Sequence, residues 1–222
     1  MSPARPSTRL VLAVSLDGRL APPEGGAAQI GGHGDRRVLE EALAWGDGAL
    51  LGAETLRRHG TTCLIHAPDL RAARAAEQRP PQPVALVASR SGAIPSALPF
   101  FQQPLERWLL APPGVAGEAE ALGFTRGVTL AAWPTALQQL AGLGLERLVV
   151  LGGAALVGSL LADGLVDELQ LTLCPRLLGG PHTWLPAGVV LDPTRWELRE
   201  QRLLDGGEVL LRYGAVLSGP AG

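Results

Sequence analysis

The chain has 222 residues, 46% of them hydrophobic and 18% charged, with a formal net charge of -2. That length suits one sizeable core, and a charge so near balance gives no basic field for nucleic acid or acidic lipid, so a small-molecule substrate is the expected partner. Cys63 and Cys174 are the only cysteines, with no metal-ligand spacing; no stretch reaches membrane-span length and Met1 to Arg9 lacks a signal-peptide core, which points to the cytoplasm.

Taken in order, Leu10 to Val14 reads as a buried first strand closed by the turn Ser15-Leu16-Asp17-Gly18. A Gly/Pro-rich loop follows, and Asp35 to Trp45 shows helical spacing at Val38, Leu39, Ala42 and Leu43. Gly48 to Leu51 is a second strand, opening into a short helix through Gly52-Ala53-Glu54-Thr55, and Val84 to Ala88 is a third. The Arg/Ala/Pro-rich stretch Ala67 to Pro83 between them is expected to be a surface excursion with one helical turn and a linker. Strands at Arg107 to Leu110, Val128 to Ala131 and Arg147 to Leu151 then alternate with helices at Gly117 to Leu122, Thr135 to Leu143 and Ala154 to Ala162. This order predicts an α/β fold with a mainly parallel sheet flanked by helices. Val166 to Cys174, Trp196 to Leu204 and Glu208 to Val216, with a turn at Asp205-Gly206-Gly207, add a C-terminal antiparallel hairpin. Residues 1–222 read as a single domain, with 1–8 and 218–222 expected to be flexible.

Ligands of open α/β sheets bind at the carboxyl ends of parallel strands. There the chain places Ser15 to Arg19, Gly52 to Thr55, Ser89-Arg90 and Gly152-Gly153. A glycine pair opening a helix lets an anion approach the backbone and meet unpaired N–H groups, although an isolated Gly-Gly is also ordinary loop punctuation. Ser89-Arg90 would suit a phosphate monoester such as the 2′-phosphate of NADPH, or form a solvated turn. Thr55 is a ligand or a helix cap.

The run Leu12 to Arg19, the segment Asp47 to Leu56, and the block Val149 to Gly180 with Asp163-Gly164-Leu165-Val166-Asp167-Glu168-Leu169 and Pro175 resemble the reductase domain of the bifunctional bacterial riboflavin-biosynthesis deaminase/reductase. That family has the dihydrofolate reductase fold, and the resemblance spans nearly the whole chain. It implies NADPH-dependent hydride transfer to the ribose carbon of 5-amino-6-(5-phosphoribosylamino)uracil, and a homodimer, for which the hairpin with Trp196 and Tyr213 offers a surface. By position it implies cofactor contacts at Ala13, Thr55, Ser89 and the stretch Gly153 to Ser159; joined to the strand-end reading, the candidate cofactor set is Ala13, Gly52, Thr55, Ser89, Arg90, Gly152, Gly153, Ala154, Ala155 and Leu156. Nothing resembles the zinc ligands of the accompanying deaminase, so a reductase alone is implied.

The substrate positions depart from the family pattern. Leu151 replaces a glutamate before the glycine pair, Ala27 a serine, Gln29 an aromatic residue and Leu43 an arginine. His59 to His66 replaces the segment that presents a second arginine, with His66 at the arginine itself. Two lost phosphate-binding arginines would cost roughly 1.5 to 3 kcal/mol each. Asp17 is the candidate proton donor, or an ordinary turn residue. His33, His59 and Asp35 flank the cleft unranked, and Asp167 and Glu168 read as structural. The whole-protein readings are this reductase, a reductase of another small heterocycle, an inactive family member kept as a binding module, and a dihydrofolate reductase. Against the last, the first helix shows no clear buried acidic residue matched to a pterin, and the turn Ser15 to Arg19 resembles the riboflavin branch.

Overall fold

The computed structural model describes residues 5–26, 30–191 and 195–216. In chain order its strands and helices are β1 (Ser7–Ser15), α1 (His33–Trp45), β2 (Gly48–Gly52), α2 (Ala53–His59), α3 (Pro68–Ala76), β3 (Val84–Ala88), β4 (Arg107–Ala111), α4 (Pro113–Gly117), β5 (Arg126–Thr129), α5 (Trp133–Gly142), β6 (Arg147–Gly152), α6 (Ala154–Ala162), β7 (Glu168–Cys174), β8 (Arg195–Leu203) and β9 (Val209–Val216). The strands form one sheet in the order β5-β4-β3-β2-β6-β1-β7-β9-β8. Every pairing from β5 to β7 is parallel, while β9 pairs antiparallel with both β7 and β8. Among the described residues no helix is long and apolar enough to cross a membrane.

The alternation of side chains along each strand divides the core in two. Leu10, Leu12 and Val14 of β1 join Leu50, Leu148 and Val150 against Leu137 and Leu140 of α5 and Val157 and Leu160 of α6. Val11, one residue out of phase, faces the other way with Ala49 and Val149, under Ala42 and Leu43 of α1 and Ile65. Leu51, Ala85 and Val87 meet Leu56, Phe100 and Phe124 on that second face. Central strands covered on both sides are apolar at nearly every position, which is why the sequence marks them so plainly.

The amino edge of the sheet is tied by charge. Asp167 accepts two hydrogen bonds from the Arg5 guanidinium, each 2.7 Å, and one from the Thr8 backbone N–H at 2.8 Å. Glu168 accepts one from Arg9 Nε at 2.6 Å, and that guanidinium lies 4.0 Å from the Trp45 ring centre. Burial pushes the Asp167 carboxyl up, but Arg5 and the Thr8 N–H more than offset it and leave its pKa below the usual range. Both acids therefore lie at the end of the sheet opposite the strand carboxyl ends, in structural roles. The strand also takes in Ser7 and Thr8, so the start expected to be flexible is too long by at least those two residues; Thr8 is buried.

Two further expectations are corrected. The stretch Ala67 to Pro83 is no simple surface linker, because nine-residue α3 carries Arg74, a buried residue, to the end of α1. Its guanidinium donates to the carbonyls of Ala44 (3.0 Å), Gly46 (2.7 Å) and Pro80 (2.7 Å), while Arg79 donates to those of Ala44, Trp45 and Gly46. Helix ends leave carbonyls without partners, and two arginines supply them here. The helix expected at Gly117 to Leu122 instead occupies Pro113–Gly117, since proline at the first turn favours a helix start and the chain passes into turns beyond.

Arg74→Met should therefore lower stability by about 2 to 4 kcal/mol in denaturant melts, because a buried cation-to-carbonyl network loses its donor. Asp167 adds a pH dependence. Its depressed folded pKa contributes stability above the unfolded value near ~4 and loses it as the pH falls through the folded value. Asp167→Asn should be less stable at neutral pH, and its stability should fall less steeply on acidification than that of the wild type.

Candidate active site

The sheet order brings the carboxyl ends of β3, β2, β6 and β1 side by side. At the centre, Gly152 has φ +101° and Gly153 has φ +63° with ψ +130°, backbone that side-chain-bearing residues rarely adopt. A Cβ on Gly153 would lie 2.9 Å from Thr55 Oγ1, so the threonine of α2 sits directly against the glycine turn of β6. No side chain caps α6, which leaves the N–H groups of Ala154, Ala155 and Leu156 facing the edge. The Leu156 side chain itself is buried in the core, so only its backbone faces the site. Gly52 has an ordinary φ of -79°, and a Cβ there would come no closer than 4.0 Å to the Gly152 carbonyl. The arrangement is a cradle lined by backbone and one hydroxyl, with the helix N–H groups that anion sites use.

On one side of the cradle, Ser89 is buried and its Oγ accepts from Gly92 N–H at 3.0 Å. It first secures the turn, from which Arg90 projects into solvent. On the other side, half-buried Ala13 of β1 pairs in register with Thr172 of β7.

Asp17 does not fit the role of proton donor. Its Oδ1 accepts from Ser15 Oγ at 2.6 Å and from Leu178 N–H at 3.1 Å, its Oδ2 from Gly179 N–H at 2.8 Å, and Arg19 Nε lies 3.6 Å away. The Ser15 hydroxyl and the two backbone N–H groups hold the carboxyl far below the usual range. It stays ionised and clamps the loop after β1 to the segment after β7.

The substrate positions scatter. Ala27 and Gln29 lie outside the described residues. Leu43 is fully buried between α1 and the sheet, so it fills core and lines no cleft. Leu151 is half-buried and packs on the same sheet face. His59 is exposed at the end of α2. His66 is also exposed, on a groove of about 340 Å³ shared with His33, Arg36, Arg37, Glu40 and Ala67. Buried Glu40 positions that groove's far wall by accepting from the N–H groups of His66 (2.9 Å) and Ala67 (2.8 Å).

Sequence reasoning missed a polar cluster between α1 and the ends of β7 and β9. Glu208, 3% exposed, accepts from Gly32 N–H at 2.5 Å and from Asp35 N–H at 3.0 Å, pinning the first turn of α1 to the hairpin. Asp35 is half-buried. Its carboxyl is pushed up by burial and by Glu208, while the Thr172 hydroxyl pulls it down. A Cβ on Gly31 would overlap Asp35 Oδ2, which is why the chain there is bare. Burial, then Asp35 and Glu208, push the Cys174 thiol up to about 12. Cys63 is exposed as a residue, yet desolvation of its sulfur and then Asp35 bring it to about 11. The first helix thus carries two acids out of full solvent, half-buried Asp35 and buried Glu40. The signal available was Gly31-Gly32 ahead of Asp35, but its partners lie more than a hundred residues away.

Comparison with known proteins identifies the family and the fold. A family profile described as the RibD C-terminal domain matches residues 6–210. The chain is 25% identical over 183 residues to the 2,5-diamino-6-ribosylamino-4(3H)-pyrimidinone 5′-phosphate reductase of Archaeoglobus fulgidus, covering 79% of this chain and 83% of that protein. It is 29% identical over 185 residues to the reductase of the same name from Methanothermobacter thermautotrophicus, covering 79% and 81%. In fold it is similar to a pyrimidine reductase-like protein from Corynebacterium diphtheriae, with a TM-score of 0.76 and 19% identity over 96% of this chain and 93% of that one. The fold is dihydrofolate reductase-like: the enzyme from Enterococcus faecalis, complexed with NADP(H), superposes with a TM-score of 0.50 at 12% identity over 96% and 98% of the two chains.

Gly153→Ala should cost about 1 to 3 kcal/mol through its backbone conformation alone, and it would also push Thr55 aside. A lowered melting temperature that Thr55→Gly partly restores would show that the contact, as well as the torsion, carries the penalty.

Proposed function

The chain belongs to the RibD C-terminal domain family, and from that premise we propose that it is an NADPH-dependent reductase of a ribosylaminopyrimidine phosphate. The observation that carries this reading is the unbroken row of strand ends in which Thr55 touches Gly153 and Ser89-Arg90 stands one strand away. Gly152, Gly153 and the free N–H groups of Ala154 to Leu156 would hold the pyrophosphate, with Thr55 beside it. Arg90 would meet the 2′-phosphate from a turn secured by Ser89, and the small Ala13 would leave room for the nicotinamide. When bound, NADPH supplies a hydride for the ribose carbon.

The chain's own contribution is then chiefly orientation and exclusion of water. Leu151 can only pack, and Asp17 is committed to its clamp. The substrate named for both archaeal relatives, a 2,5-diaminopyrimidinone phosphate, and the 5-amino-uracil counterpart are the compounds to test first. Burial of Leu43 favours one further reading, a reductase of a heterocycle whose phosphate is not held at that position. We propose further that it acts in the cytoplasm as a homodimer; supporting the second part, β8 is an edge strand with Leu198 45% and Leu203 77% exposed, a row of backbone groups that a second copy would cover.

Calorimetric titration should show NADPH binding more tightly than NADH. Arg90→Ala should reduce that preference about tenfold to a hundredfold, the worth of one charge-assisted phosphate contact. Failure of the wild type to bind either nucleotide would end this reading.

A further inference from the structure

The segment Gly60 to Ala67 joins α2 to α3 and belongs to no helix or strand, yet side chains from three other parts of the chain hold its backbone. Gln103 Oε1 accepts from Thr62 N–H at 2.9 Å, and Gln103 Nε2 donates back to the Thr62 carbonyl at 2.9 Å. Gln82 treats Ile65 in the same way, with both bonds at 2.8 Å. Glu40 of α1 accepts from the N–H groups of His66 and Ala67. A primary amide sets an acceptor beside a donor, so it can satisfy both backbone groups of one residue as a facing strand residue would. Two glutamines therefore stand in for the neighbouring strand that this segment lacks. Thr62 and Ile65 are buried, while Thr61, Cys63 and His66 are exposed.

The segment leaves α2, whose Thr55 meets Gly153, and Cys63 stands close enough to the first turns of α1 to feel the charges of Asp35 and Arg36. His66 lines the groove it shares with His33 and Arg36. Resting on the proposed function, we infer that Gln82 and Gln103 are positioning residues of the reductase, which hold Gly60 to Ala67 in place as one wall of the substrate cleft. Both precede the strands they lead into, β3 and β4, so neither stands at the carboxyl ends that form the cradle. They act through the segment. A loose wall would have to be ordered each time substrate binds, and that lost entropy would weaken substrate binding while leaving the cofactor and the hydride step alone.

The test uses Gln82→Met and Gln103→Met, which keep the side-chain volume and remove both hydrogen bonds, with three measurements on each. Kinetics with whichever of the two ribosylaminopyrimidine phosphates the wild type reduces should show its KM raised about tenfold, the worth of the two bonds lost. The kcat should stay within about twofold of wild type, and NADPH affinity by calorimetry should not change, because neither the hydride step nor the cradle is touched. Alkylation of Cys63 by iodoacetamide at pH 8 should be faster than in the wild type, since its sulfur is desolvated while the segment is held. Buried Cys174 should stay unreactive, which reports an intact fold. An unchanged KM in both variants would overturn the positioning role and leave the reductase reading standing. A KM rise matched by an equal loss of NADPH affinity and by alkylation of Cys174 would overturn it too, as general destabilisation. An NADPH-binding wild type that reduces neither compound would remove the reductase reading and this role with it.

Discussion

The position of β6 between β2 and β1 is the constraint on which the candidate site depends. Only that insertion sets the glycine turn of β6 against the first turn of α2, where Thr55 Oγ1 occupies the space a side chain on Gly153 would need. The chain crosses from the β2-to-β5 half of the sheet back to its centre to make this contact. The crossing reverses the strand order, and the carboxyl edge at such a reversal is where open α/β sheets bind ligands. Without it the glycine pair would be a turn like any other.

A second theme is how this protein spends its carboxylates. Asp47 accepts from the N–H groups of Glu146 and Arg147, Asp167 joins Arg5 and Thr8, Asp17 joins the loops after β1 and β7, and Glu208 ties the hairpin to α1. Each satisfies backbone donors that the sheet cannot reach, and each links segments far apart in the chain. Arg74 and Arg79 do the complementary work for the carbonyls at the end of α1.

The parallel sheet was legible because doubly covered strands are apolar throughout. Val84–Ala88 and Ala154–Ala162 fall where the sequence reading put them, and the other strands shift by a few residues at their ends. Gly117 misled because a glycine closing a five-residue helix reads equally well as one opening it. The excursion around Arg74 misled because an alanine- and arginine-rich stretch has the composition of a solvated surface, while the guanidinium is buried among carbonyls. Leu43 shows the same limit at the site: position within a family alignment named it a substrate contact, and helical phase turned it into the core.

By itself the sequence determined the alternation of strands and helices, the glycine turn that opens α6, and the membership of the row Thr55, Ser89-Arg90 and Gly152-Gly153, since these follow from local periodicity and from residues whose backbone or charge suits one task. Tertiary structure alone decided which acids are clamps. Asp17 finds donors 161 and 162 residues away, and Glu208 holds Asp35 across 173. Hydrogen-bond partners at that separation are set by strand order and loop closure, and local pattern carries no record of them.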